Sequence, residues 1–135
     1  MSAQYLTGKQ ILAIHYTTMN RHNDLEQAGI KYQDRFESML ERPKSDYFGV
    51  ELYPTVLEKG CCYYHSIAKD HIFHNGNKRT ALVTFITYLR LNGMSLTFDN
   101  DEVENFTVYL AEDDKFKTND CINHLVKELK PYIIQ

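Results

Sequence analysis

The chain has 135 residues, 43% of them hydrophobic and 24% charged, with a formal net charge of -3. That length supports one domain with a single core, spanning residues 1–135. The acidic balance argues against a broad nucleic-acid surface, no stretch is apolar for long enough to cross a membrane, and Met1-Ser2-Ala3-Gln4-Tyr5 lacks the regions of a signal peptide. The expected location is the cytoplasm. Cys61, Cys62 and Cys121 match neither a disulfide frame nor a zinc pattern, and read as reduced thiols in the core.

Thr7-Gly8-Lys9-Gln10 has the form of a capping box. Ile11, Leu12, His15 and Met19 follow at helical spacing, which predicts a first helix from about Thr7 to Asn20. The polar stretch 21–32 reads as a loop. A short helix follows from about Gln33 to Glu41, with Phe36, Met39 and Leu40 inward and Pro43 as its stop. Residues 44–53 mix aromatics with turn formers and read as a small hairpin flap. Tyr47 and Phe48 on it have two readings: exposed for docking a peptide by strand addition, or tucked into the core.

Pro54 fits the first turn of the next helix, which should reach about His71. Leu57, Cys61, Tyr64, Ala68 and Ile72 make one apolar row; Val56, Gly60, Tyr63 and Ile67 make a second. Glu58, Cys62, His65 and Lys69 define a wetter side. Gly60 in mid-helix predicts close packing of another helix. The helix from about Asn77 to Leu91 is apolar nearly all round, which predicts a central, buried position, and Asn92-Gly93 ends it. Met94 to Phe98 reads as an extended connector. Asp99 to Glu102 repeats the capping-box pattern and opens a helix carrying Val103, Phe106 and Leu110. Lys115 to Lys117 reads as a flexible basic link before a last helix, from about Asn119 to Lys130, closed by Pro131. His15 and His124 read as partly buried helix residues, and Tyr63 and Tyr64 as core aromatics. The sum is an all-α fold: a compact domain of about six helices with a small hairpin flap.

The chemistry concentrates in His71-Ile72-Phe73-His74-Asn75-Gly76-Asn77-Lys78-Arg79-Thr80. Asn75-Gly76 is a strong turn signal. Lys78 and Arg79 open the helix that follows, where free N–H groups and partial positive charge disfavour cations unless an anion sits among them. A glycine turn leading into a helix N-terminus is a phosphate cradle. Histidine is the usual general base near neutral pH. A base beside a phosphate clamp suggests transfer from a nucleotide to a hydroxyl. His65, His71 and His74 lack a carboxylate or thiolate to complete a metal set.

This ten-residue stretch resembles the signature of the Fic/Doc proteins, in the form typical of Doc (death-on-curing) toxins. The likeness extends from about Gly29 to Asp113, through Phe36 to Pro43, Leu52 to Lys59 and Tyr88 to Gly93. The resemblance implies a toxin that transfers the terminal phosphate of ATP to a protein hydroxyl, inactivating elongation factor Tu. It implies His71 as general base and Phe73 as core anchor. It also implies Gly76 and Asn77 as the anion-binding turn, with Asn75 beside them in the cofactor-binding set, and Lys78 and Arg79 as phosphate-contacting catalytic cations. The AMP-transferring pattern has Gly where Lys78 stands and a second arginine where Leu82 stands; both departures favour phosphoryl transfer. The family usually carries an acid at position 75, which helps hold magnesium. Asn75 offers a neutral oxygen, so Mg2+ is expected mainly through the ATP phosphates.

Residues 44–53 match the family's target-docking flap in position. In some relatives a Ser/Thr-x-x-x-Glu-Gly/Asn helix blocks the ATP site. Here Glu104-Asn105 comes nearest, but Asn100 stands where Ser or Thr is needed, so a separate Phd-like antitoxin chain is expected. Direct contact with nucleic acid or membrane is not. Two alternatives stay open: an AMP transferase on the same site, and a non-catalytic nucleotide-binding module, for which Asn75 is the best support.

Overall fold

The computed structural model describes residues 2–135. Its helices are α1 (Gly8–Arg21), α2 (Gln33–Glu41), α3 (Val56–Lys69), α4 (Asn77–Leu91), α5 (Asn100–Glu112) and α6 (Cys121–Leu129). Two antiparallel pairs of very short strands accompany them: β1 (Asp46–Tyr47) with β2 (Val50–Glu51), and β3 (Ser95–Leu96) with β4 (Ile133–Ile134). The fold is all-α, as expected. No described helix is long and apolar enough to cross a membrane.

Local sequence sets the helix starts. Thr7 and Gln10, Thr55 and Glu58, and Asp99 and Glu102 each form a reciprocal capping box, at the heads of α1, α3 and α5. The box at Thr55 places Pro54 just outside α3, not in its first turn. The helix also stops at Lys69, short of His71.

The central helix is α3, not α4. Every residue from Lys59 to Ala68 is buried, Cys62 and His65 of the expected wet side included. α3 packs most extensively on α4 and is also covered by α2, α5 and α6. The polar groups on it find partners far away in the chain. Lys59 Nζ donates to Glu51 Oε1 at 2.9 Å and to the Tyr53 carbonyl. His65 Nε2 bonds the Phe116 carbonyl at 2.7 Å, while its Nδ1 faces Arg42 Nη1 at 2.9 Å. α4 is one-sided by comparison, with Val83 and Leu91 exposed. Gly60 does mark the α3–α4 contact: a Cβ there would lie 2.7 Å from the Tyr88 ring.

Tyr63 and Tyr64 are core aromatics, their hydroxyls bonded to the Leu6 backbone and to Thr107 Oγ1. The three cysteines are free and buried. Residues 115–117 are no flexible link. They lie in a 3-10 turn (Asp114–Lys117) pinned by fully buried Phe116. The connector after α4 is held too, because β3 pairs with the chain's far end. The 44–53 flap is a hairpin, and its tip is bare: Tyr47 is 68% and Phe48 89% exposed. The core-tucked reading of these two residues is therefore excluded.

Candidate active site

α3 is capped by Asp70, and the next residue breaks the helical path. His71 has φ +51, a left-handed angle that non-glycine residues seldom adopt. Such strain persists only where surrounding bonds over-determine it. Those bonds lie on both sides of His71. Arg35 Nη1 donates to the Asp70 carbonyl at 2.8 Å. The Ile72 carbonyl accepts from the Lys31 and Tyr32 N–H groups at 2.8 and 3.2 Å, and the Gly29 carbonyl accepts from His74 N–H at 3.0 Å. Residues 29–32, expected as plain loop, thus form a strap against residues 72–74, with Ile30 bridging Phe73. The His71 side chain is left exposed at the surface of this braced segment.

Phe73 is the buried anchor. Its ring stacks on His15 with centroids 3.8 Å apart and meets Phe36 edge-on. Its backbone is clamped by the Asn77 side chain: Oδ1 accepts the Phe73 N–H at 2.9 Å and Nδ2 donates to its carbonyl at 3.0 Å. The Asn77 amide therefore closes the loop, and only the Asn77 backbone N–H remains to face an anion. Gly76, with φ +70, is the N-cap of α4. A Cβ there would run into Met19 Sδ, so backbone angle and space both require glycine. Asn75 Oδ1 accepts the Gly76 N–H at 2.7 Å, and its Nδ2 donates to Gln27 Oε1.

α1, α3 and α5 carry side-chain caps; α4, like α2 and α6, carries none. Its first-turn N–H groups have no intrahelical acceptor. Lys78 stands exposed beside them, in no ion pair among the described residues. Arg79 Nη2 pairs with Asp24 Oδ2 at 3.2 Å, both side chains about a third exposed at 31% and 32%. The same nitrogen would lie 3.5 Å from a Cβ on Gly76, which puts the guanidinium against the turn. Lys78 and Arg79 also line a cleft of 390 Å³ with Thr18, His22, Leu82, Val83, Glu104, Thr107 and Val108; His71 is not in its wall.

Three contributors escape a sequence reading: the strap at 29–32, the Asp24–Gln27 turn and His15. His15 is fully buried, not partly. Burial, and then the charge of Arg79, lower its pKa from 6.5 to about 4, so the ring is neutral at ordinary pH. Its signal was present in the sequence as a polar ring on the inward face of α1, in register with Ile11 and Met19.

A helical domain built round a braced His-x-Phe-x-x-Gly-Asn-Lys-Arg loop defines the class of this protein. The Fic/DOC family model matches residues 5–89. The chain is 34% identical over 87 residues to "Toxin Doc" of Mycolicibacterium smegmatis, covering 63% of this chain and 62% of that protein. It is 29% identical over 108 residues to "Protein kinase doc" of Escherichia phage P1, covering 80% and 82%. The chain belongs to the Fic/Doc family, as a Doc-like member.

Proposed function

We propose that the protein is a Doc-like toxin of a toxin–antitoxin pair that transfers the terminal phosphate of ATP to a hydroxyl of a target protein. The observation that carries this is the pairing of an exposed, braced His71 with an uncapped helix N-terminus one glycine turn later. The phosphate chain of ATP rests on the turn at Asn75, Gly76 and Asn77, against the free N–H groups of α4, with Lys78 and Arg79 neutralising its oxygens. His71 takes the proton of the incoming hydroxyl as oxygen attacks the terminal phosphorus, and ADP leaves. The bare flap supports a protein as acceptor, because it offers both exposed aromatics and a short strand edge. Elongation factor Tu is the target that the resemblance implies.

The donor set at the turn does not suit a protein-held magnesium ion. Asn75 supplies a neutral oxygen already engaged with Gly76 N–H, where Mg2+ ordinarily takes one or two carboxylates beside the phosphates of its substrate. Any Mg2+ is a passenger on the phosphates of ATP.

AMP transfer from the same site is the second reading. The cleft beside Lys78 disfavours it, because Leu82 there has no donor with which to grip a phosphate. ATP labelled separately at its α and γ phosphates, added with cytosolic extract, distinguishes the two. A γ label on protein supports the proposal; an α label supports AMP transfer; no label on any protein supports the binding-module reading. His71→Ala should cut the rate by about 10²–10⁴-fold without unfolding the chain, since the side chain is exposed. Full activity in that variant would remove His71 from the mechanism.

A further inference from the structure

His15 touches neither a nucleotide nor an acceptor hydroxyl, yet it joins the two halves of the site. Its Nε2 accepts the Gly29 N–H at 2.9 Å, so that nitrogen carries no proton. The neutral ring's one proton is then on Nδ1, which lies 2.9 Å from Thr80 Oγ1 and donates to it. Gly29 belongs to the strap, and its carbonyl accepts from His74. Thr80 belongs to α4, and its N–H closes on the Gly76 carbonyl at 2.9 Å. The face of the same ring lies on Phe73. One side chain thus meets the strap, the loop anchor and the phosphate helix.

We infer that His15 is a positioning residue for the transfer reaction, holding His71 through Gly29 and the phosphate turn through Thr80. The inference rests on the function proposed above. His71 makes no side-chain hydrogen bond among the described residues, so its position comes from its backbone alone, and the strap fixes that backbone. Gly29 has φ +124, an angle suited to glycine, which aims its N–H inward at His15. Without an acceptor there, a buried donor goes unsatisfied and the strap loosens. On the other side, Thr80 ties the first turn of α4 to α1, and so sets where the phosphate-facing N–H groups stand. A histidine that merely filled space would need neither bond.

The two bonds can be separated. An asparagine at position 15 can place a donor where Nδ1 stands but no acceptor where Nε2 stands; a glutamine does the reverse. His15→Asn should therefore lose about tenfold or more in kcat, with KM for ATP nearly unchanged. His15→Gln should keep kcat within about threefold while KM for ATP rises. Thr80→Val, nearly the same shape without the acceptor, should reproduce the KM rise and serves if either position-15 variant fails to fold. Variants that lose only thermal stability, with kcat and KM as in wild type, would overturn the inference. If the wild-type chain transfers no label at all, the proposed function fails, but the positioning is still read by backbone amide resonances of residues 71–76. Shifts in His15→Asn larger than in His15→Gln support it; equal or absent shifts overturn it.

Discussion

At position 76 a single methyl group would do two kinds of damage. The backbone there has φ +70, which costs an L-residue roughly 1–2 kcal/mol. The new Cβ would also strike Met19 Sδ, in a side chain that is itself fully buried. Thioethers yield more readily than rings, so part of the collision can relax. Gly76→Ala should therefore lower unfolding stability by about 2 kcal/mol and weaken ATP binding by more than tenfold, because the turn opens as the methionine moves. Adding Met19→Ala should recover some affinity and none of the angular strain, a split that calorimetric titration of both variants with ATP would read. Equal affinity in wild type and Gly76→Ala would mean that the turn is not where phosphate rests.

The elements divide sharply into those whose ends were legible in the sequence and those whose surroundings were not. Capping boxes are local, so α1 and α5 begin where Thr7 and Asp99 say they should; the Thr55–Glu58 box is equally local, but Pro54 beside it points to a start for α3 that is too early. The hairpin was readable from its turn formers, and the His71–Arg79 loop from its motif. Burial of α3 was not readable, because Lys59 and His65 look like surface residues until Glu51, Arg42 and Phe116 come across the fold to meet them. The strap and the β3–β4 pair failed for the same reason, each being a contact between distant segments of few residues. Gly60 is the exception, a long-range contact announced by one residue. Tyr88 cannot withdraw from a Cβ at position 60, since it is fully buried and its hydroxyl donates to the Val56 carbonyl at 2.8 Å. Gly60→Ala gains roughly 1 kcal/mol in helix propensity but overpacks the α3–α4 contact at a cost of about 1–3 kcal/mol. Urea unfolding should show a net loss; a gain would mean that the two helices can separate without penalty.

Across the whole molecule, two buried histidines make stability depend on pH. Burial, and then Arg79, lower the pKa of His15 to about 4. Burial also lowers that of His65 to about 4; a bond to the Phe116 carbonyl opposes this, and Arg42 and Lys69 add to it. Both rings are neutral when folded and titrate near 6.5 when unfolded. Between these values the unfolded chain binds more protons, so stability falls as pH falls through that window and is complete above it. Each histidine should remove roughly 2 kcal/mol between about pH 7 and pH 5. Asp70, whose carboxyl is raised by burial, works in the opposite sense from its ordinary 3.8 upward. The two histidines are independent in structure, one tying α1 to the strap and the other tying α3 to the Phe116 turn. Their contributions should therefore add. Urea midpoints measured at both pH values should drop by the sum in wild type and by about half of it in His15→Gln. A wild-type midpoint that does not change across the window would mean that the rings take up protons in the folded state without losing their partners. The closed network of Gly29 and Thr80 on one ring, and of Arg42 and Phe116 on the other, would then not be what holds these histidines in the core.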